Sequence, residues 1–191
     1  VTLSGGNATT TLNMTGTSNQ LTVNSAGGSG NIFTGTINAD ETVATVNQTG
    51  GGGNDTTLNM TGNKGQVSVT SVGASNITSV IQSAYGTTGA QTLIDITGSG
   101  NTTSVTQSGA FDHYANIKLN SGSNDNTITL AQTGGAGSGH VANLELVAGS
   151  SNNTIGITQQ GSVANLSNVK VNGSYNTSVS YTHLTLPTIL L

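Results

Sequence analysis

The sequence predicts an all-β protein: a β-solenoid of about seven stacked strand–turn–strand coils, each 23–27 residues long. Three observations carry the prediction. A unit of that length recurs along the chain, its strands alternate apolar and small polar residues, and the composition cannot furnish a thick core.

Only 5% of the 191 residues are charged, against about 25% in ordinary globular domains. Aromatic residues make up 3%, Trp is absent, and Gly occurs 28 times. The net charge of −4 is too small to hold such a chain open by self-repulsion. Small polar residues with scattered Val, Ile and Leu suit thin, repetitive β-structure.

The repeat appears first as a duplicated heptapeptide. Thr10 to Gly16 reads TTLNMTG, and Thr56 to Gly62 reads the same at an offset of 46. Gln20-Leu-Thr-Val23 then matches Gln66-Val-Ser-Val69, and Asn31-Ile32 matches Asn76-Ile77. The offset therefore corresponds to two units of about 23 residues. Further on, an Asn precedes a Gln by six residues at Asn76/Gln82, Asn101/Gln107, Asn126/Gln132 and Asn153/Gln159. A weaker copy is expected at Thr42/Gln48.

After each Gln comes a turn, then a short segment with two apolar residues flanking one other: Ile94-Asp-Ile96, Ile117-Lys-Leu119, Leu144-Glu-Leu146 and Val169-Lys-Val171. A second Gly/Ser/Asn turn closes the unit. In the first strand, Asn126, Ile128, Leu130 and Gln132 share one parity, as do Asn153, Ile155, Ile157 and Gln159. Amides that share the parity of the apolar residues point inward. Stacked copies should then form amyloid-like Asn and Gln ladders, each amide bonding its equivalents about 4.8 Å above and below. A single coil offers too few apolar side chains to offset ordering its backbone, so neighbouring coils must share the burial.

The residue between the two apolar positions of the second strand is Asp95, Lys118, Glu145 and Lys170 in turn. Its parity points outward, so consecutive coils should set opposite charges side by side. A slip of one coil would bring like charges together, and the row would favour correct register. The plainer reading is that these charges decorate a solvated face. The outward positions of the first strand carry Thr102, Ser104 and Thr106, then Thr127 and Thr129, then Thr154 and Thr158. A flat Thr array can order water, although Thr also simply favours strands.

The run from Asn101 through Gln107 to Gly109, repeated from Asn126 to Gly134 and in variant form from Asn153 to Gly161, resembles the curlin repeat. The resemblance covers residues 76–176 well and residues 1–75 more weakly. It implies strand–turn–strand coils with inward Gln and Asn ladders. It also implies a secreted bacterial subunit of functional amyloid, assembled at the cell surface into biofilm-matrix fibres. Implied partners are further copies of itself, a nucleator subunit and a secretion machinery.

Other classes find little support. With no Cys, a disulfide framework or thiolate metal site is impossible. Lys64, Lys118 and Lys170 are the only Lys or Arg residues, too few and too scattered to neutralise nucleic-acid phosphates. No apolar run approaches the ~20 residues of a membrane-spanning helix, so membrane insertion is not expected. His113 and His140 fall in turns of different length and His183 lies near the C-terminus, so no catalytic or metal-ligand spacing emerges. The Gly runs at 50–53 and 134–139 lack the Lys of a phosphate loop and read as long turns. The expectation is a non-enzyme without cofactor. The competing function is a binding solenoid, either an adhesin stalk or an ice-binding protein using the Thr rows.

The chain opens at Val1 without Met or signal peptide and reads as a mature or partial fragment. Residues 1–178 read as one repeat domain. Residues 179–191 hold the only Pro and no repeat residues, and resemble a translated sequencing-adapter segment. The alternative is a terminal piece that caps the last coil.

Overall fold

The computed structural model describes residues 2–4, 9–16, 18–38, 41–61, 64–84, 89–134 and 139–184. Its first seven strands are β1 (Thr2–Ser4), β2 (Thr9–Thr11), β3 (Met14–Thr15), β4 (Gln20–Ala26), β5 (Ile32–Asn38), β6 (Val43–Thr49) and β7 (Asp55–Thr61). There follow β8 (Gln66–Val72), β9 (Ile77–Ala84), β10 (Gln91–Thr97), β11 (Thr102–Gly109) and β12 (Tyr114–Leu119). The last are β13 (Thr127–Gly134), β14 (Val141–Leu146), β15 (Thr154–Gly161), β16 (Leu166–Val171) and β17 (Thr177–Leu184). No helix occurs among the described residues.

The strands stack into two parallel sheets. One runs β1-β4-β6-β8-β10-β12-β14-β16, and the other β17-β15-β13-β11-β9-β7-β5-β2, with β3 also on β5. Each coil contributes one strand to each sheet, giving a β-solenoid of about seven turns, as the repeat predicts. The duplicated heptapeptide stacks on itself two coils apart: Thr10 pairs with Phe33 and Phe33 with Thr56, while Met14 pairs with Ile37 and Ile37 with Met60.

Period-two alternation explains why the sheets face each other. Along β13, Ile128, Leu130 and Gln132 are buried while Thr127 and Thr129 are exposed. Along β14, Ala142, Leu144 and Leu146 point back at them from the opposite sheet. The core is one continuous cluster from Val23 to Val171. Its side chains are mostly Val, Ile and Leu. The one large ring, Phe33, fits because Gly35 leaves room: a Cβ there would lie 3.0 Å from the ring.

Among the described residues, the corner before each first strand from β5 to β17 is built alike. The residues at this place are Gly30, Gly53, Ser75, Gly100, Asp125, Asn152 and Tyr175, with φ between 54° and 79°. A left-handed residue here turns the chain sharply, so that the Asn that follows points inward rather than along the turn. Gly50–Gly53 forms a turn, as expected. Within 134–139, residues 135–138 lie outside the described residues, as do 185–191 of the C-terminal segment.

The first part of that segment continues the fold. Thr177–Leu184 pairs in register on β15. Its chemistry is out of phase, however. Ser178, Ser180 and Thr182 occupy the register positions of Ile155, Ile157 and Gln159, while Val179 and Tyr181 face solvent at 80% and 58% exposure.

Candidate assembly ladders

The Asn series is continuous over all seven coils. From Asn54 onward, backbone N–H and side-chain Nδ2 of each Asn donate to Oδ1 of the Asn one coil earlier. Asn126 donates to Asn101 at 3.1 and 2.9 Å, and Asn153 to Asn126 at 3.0 and 3.0 Å. Asn101 donates in the same way to Asn76 at 3.1 Å through both groups. The second Nδ2 hydrogen closes the neighbouring turn, as from Asn126 to the Ser150 carbonyl at 3.0 Å. An interior side chain such as Asn126 thus makes four hydrogen bonds in a buried corner, a setting where unpaired amides are costly.

The ladder extends beyond the four Asn residues expected from the sequence. Asn31, Asn54 and Asn176 belong to it, with Asn54 donating to Asn31, Asn76 to Asn54 and Asn176 to Asn153. The missed signal was an Asn six residues before an apolar residue, Asn31 before Ile37 and Asn54 before Met60, where later coils carry Gln.

The Gln series is shorter and points the other way. Nε2 of Gln82 donates to Oε1 of Gln107 at 2.8 Å, Gln107 to Gln132 at 2.8 Å, and Gln132 to Gln159 at 2.7 Å. Asn side chains donate toward the N-terminal end of the stack and Gln side chains toward the C-terminal end. The two rows of amide dipoles are therefore antiparallel.

Gln48 is not the weaker copy that its distance from Thr42 implied. It lies on β6, in the other sheet, in register with Ser25 and Ser71. The parity of Ala44 and Val46 sets this position and carries the amide inward. There it donates to Thr56 Oγ1 at 2.9 Å across the core.

A third ladder, not anticipated, lines the corner outside the Asn row. The backbone N–H of Ser99 donates to Asn124 Oδ1 at 2.8 Å, Asn124 N–H to Ser151 Oγ at 3.0 Å, and Ser151 N–H to Ser174 Oγ at 3.0 Å. Its sequence signal is a Ser or Asn two residues before the ladder Asn.

The outward charges stack in consecutive register: Asp95 beside Lys118, Lys118 beside Glu145, and Glu145 beside Lys170. Lys170 Nζ lies 3.1 Å from Glu145 Oε2. That hydrogen bond, with a second from Asn120, holds the Glu145 carboxyl below its usual pKa. At the opposite corner, Lys64 pairs with Glu41 at 3.2 Å. On the other sheet's outer face, Thr102, Thr127 and Thr154 form one column, and Ser104, Thr129 and Gly156 the next.

His113 and His140, which differing turn lengths seemed to separate, stack on each other. Their ring centroids are 5.1 Å apart and the planes are inclined by 19°. Both are buried where β12 and β14 begin. No group of three or more His, Cys, Asp or Glu side chains among the described residues is placed to hold a metal ion. What the ladders can do is bond an identical coil in register. Comparison with protein-family models, curated proteins and solved structures finds no match.

Proposed function

We propose that the chain is a structural, non-enzymatic subunit of extracellular, curli-like functional amyloid fibres in a bacterial biofilm matrix. The observation that carries this reading is the unbroken Asn ladder, seven coils long and parallel to the solenoid axis. Along this row each coil offers the next the same Asn donors and acceptor, so an added copy with an Asn in register continues a pattern already in place. Among the described residues the outermost strands are β1 and β16 in one sheet and β2 and β17 in the other, and a strand edge left uncovered templates pairing. The curlin-like Asn/Gln spacing adds the expected setting: secretion to the cell surface, growth from further copies of the chain, and a nucleator subunit that starts the fibre.

The test is polymerisation of purified protein at neutral pH, followed by thioflavin fluorescence and electron microscopy. Unbranched fibrils that seed fresh protein support the reading; a monomer that persists for days at high concentration refutes it. A binding solenoid is the second reading, favoured by the stacked column of Thr102, Thr127 and Thr154. Its ice-binding form requires thermal hysteresis, which a fibre subunit does not produce.

A further inference from the structure

The stacked imidazoles of His113 and His140 hold their surroundings in a way that fixes where each proton sits. Nδ1 of His113 lies 3.0 Å from the backbone nitrogen of His140, and Nδ1 of His140 lies 3.1 Å from that of Asn165. A backbone N–H can only donate, so both Nδ1 atoms carry a lone pair. Nε2 of His113 is 3.0 Å from the Ser108 carbonyl, and Nε2 of His140 is 3.0 Å from the Thr133 carbonyl. A carbonyl can only accept, so both Nε2 atoms carry the hydrogen. The two rings are therefore neutral, of one tautomer, and have no site left for another proton.

We propose that this histidine pair is an acid-labile joint between coils, closed at neutral pH and opened by protonation. A proton on either Nδ1 would face an N–H that it cannot accept. Two charged rings 5.1 Å apart, at 1% and 0% exposure, would also repel without water to screen them. The bonds lost would be those that tie the start of β14 to its neighbours on either side.

The surroundings agree. Burial holds the His113 pKa below its ordinary value, opposed by the Ser108 hydrogen bond and reinforced by His140. Asp112 is the charged group acting on His113, and its carboxylate accepts the Gly89 N–H at 2.7 Å. Among the described residues, the His140 ring meets the His113 ring, the Thr133 carbonyl and the Asn165 N–H. Because the folded-state pKa of His113 is depressed, its stability contribution is complete above the ordinary histidine value of about 6.5. That contribution is lost as pH falls from there toward the folded-state value.

The fold itself supplies a non-titrating control. Asn165 stands one residue before Leu166 as His140 does before its register partner Val141, and its Nδ2 donates to the Gln160 carbonyl at 3.1 Å, just as His140 Nε2 reaches the carbonyl of Thr133, the partner of Gln160. Asn at positions 113 and 140 should keep the neutral-pH fold and remove the proton site. The inference concerns the coil stack and stands whether or not the chain forms fibres.

The experiment is hydrogen exchange at the His140 and Asn165 amides of the full chain at pH 7.5 and 5.0, corrected for intrinsic rates. Protection should fall at least tenfold in the wild type and hold in the H113N/H140N variant, with the Asn126 and Asn153 amides unaffected in both. An equal fall in both proteins, or none in the wild type, overturns the proposal. Imidazole nitrogen NMR of the wild type supplies a readout that needs no variant. Neutral Nε2–H rings at pH 7.5 are expected, and Nδ1–H or charged rings there would overturn it as well.

Discussion

Gln82 donates its side-chain amide to Gln107 at 2.8 Å, yet its own Oε1 is buried without a hydrogen-bond partner. The reason lies one coil earlier, where the same register position holds Met60. The Gln ladder therefore has a defined first rung, and an interior rung and an end rung differ in what their loss exposes.

Replacing Gln107 by Met should cost about 2–3 kcal/mol, because Gln132 Oε1 loses its donor and the Thr92 hydroxyl loses an acceptor. Replacing Gln82 by Met should cost about 1 kcal/mol or less. It removes an acceptor that is already unsatisfied; of the groups its Nε2 serves, the Ala90 carbonyl keeps the Gln66 N–H and Gln107 Oε1 keeps the Thr92 hydroxyl, while Thr92 Oγ1 loses one donor. Denaturant midpoints of the two variants, measured side by side, check the ordering.

Asn126→Asp tests the Asn ladder through pH. At neutral pH the new carboxylate would still accept from Asn153 but would face Asn101 Oδ1 and the Ser150 carbonyl, to which Asn126 now donates. A buried, unpaired charge should destabilise by at least about 3 kcal/mol. Those contacts raise the folded-state pKa of the introduced acid above the unfolded value of about 3.9. The folded variant then binds more protons than the unfolded one in that window, so its deficit relative to wild type should shrink as pH falls from 7 toward 4. Unfolding of both proteins across that range gives the sign directly.

Two glycines should respond oppositely to a side chain. Gly109 has φ +126°, and a Cβ there would lie 2.7 Å from the Gly134 carbonyl oxygen, so Gly109→Ala should cost about 1–3 kcal/mol. Gly156 faces outward with no atom within 4 Å of an added Cβ. Gly156→Thr should stabilise by up to about 1 kcal/mol while extending the column of Ser104 and Thr129. Thermal unfolding of both variants is sufficient.

Much of this was legible in the sequence because a solenoid repeats one decision. Parity alone put Ile128 and Gln132 inside and Thr129 outside, and the recurring Asn at 76, 101, 126 and 153 marked one coil each, as do the charges from Asp95 to Lys170. What escaped notice escaped for a physical reason. Coils differ in the length of the turn after the Gln, so His113 follows Gln107 by six residues and His140 follows Gln132 by eight. Counted back from the second strand, both stand two residues before the inward Ala, Ala115 or Ala142, and the ladder sets the spacing from that side. Gln48 misled because both sheets have an inward position that accepts an amide, and spacing within a strand does not say which sheet the strand joins.

Fibres of this chain would grow by adding copies coil upon coil along the solenoid axis. Fibre diffraction from aligned, polymerised protein tests it most directly. A meridional reflection at ~4.8 Å is expected from the coil spacing, with growth slowed by alanine at Asn126 and Gln132. Protein that remains monomeric, or fibrils without that meridional spacing, would contradict it.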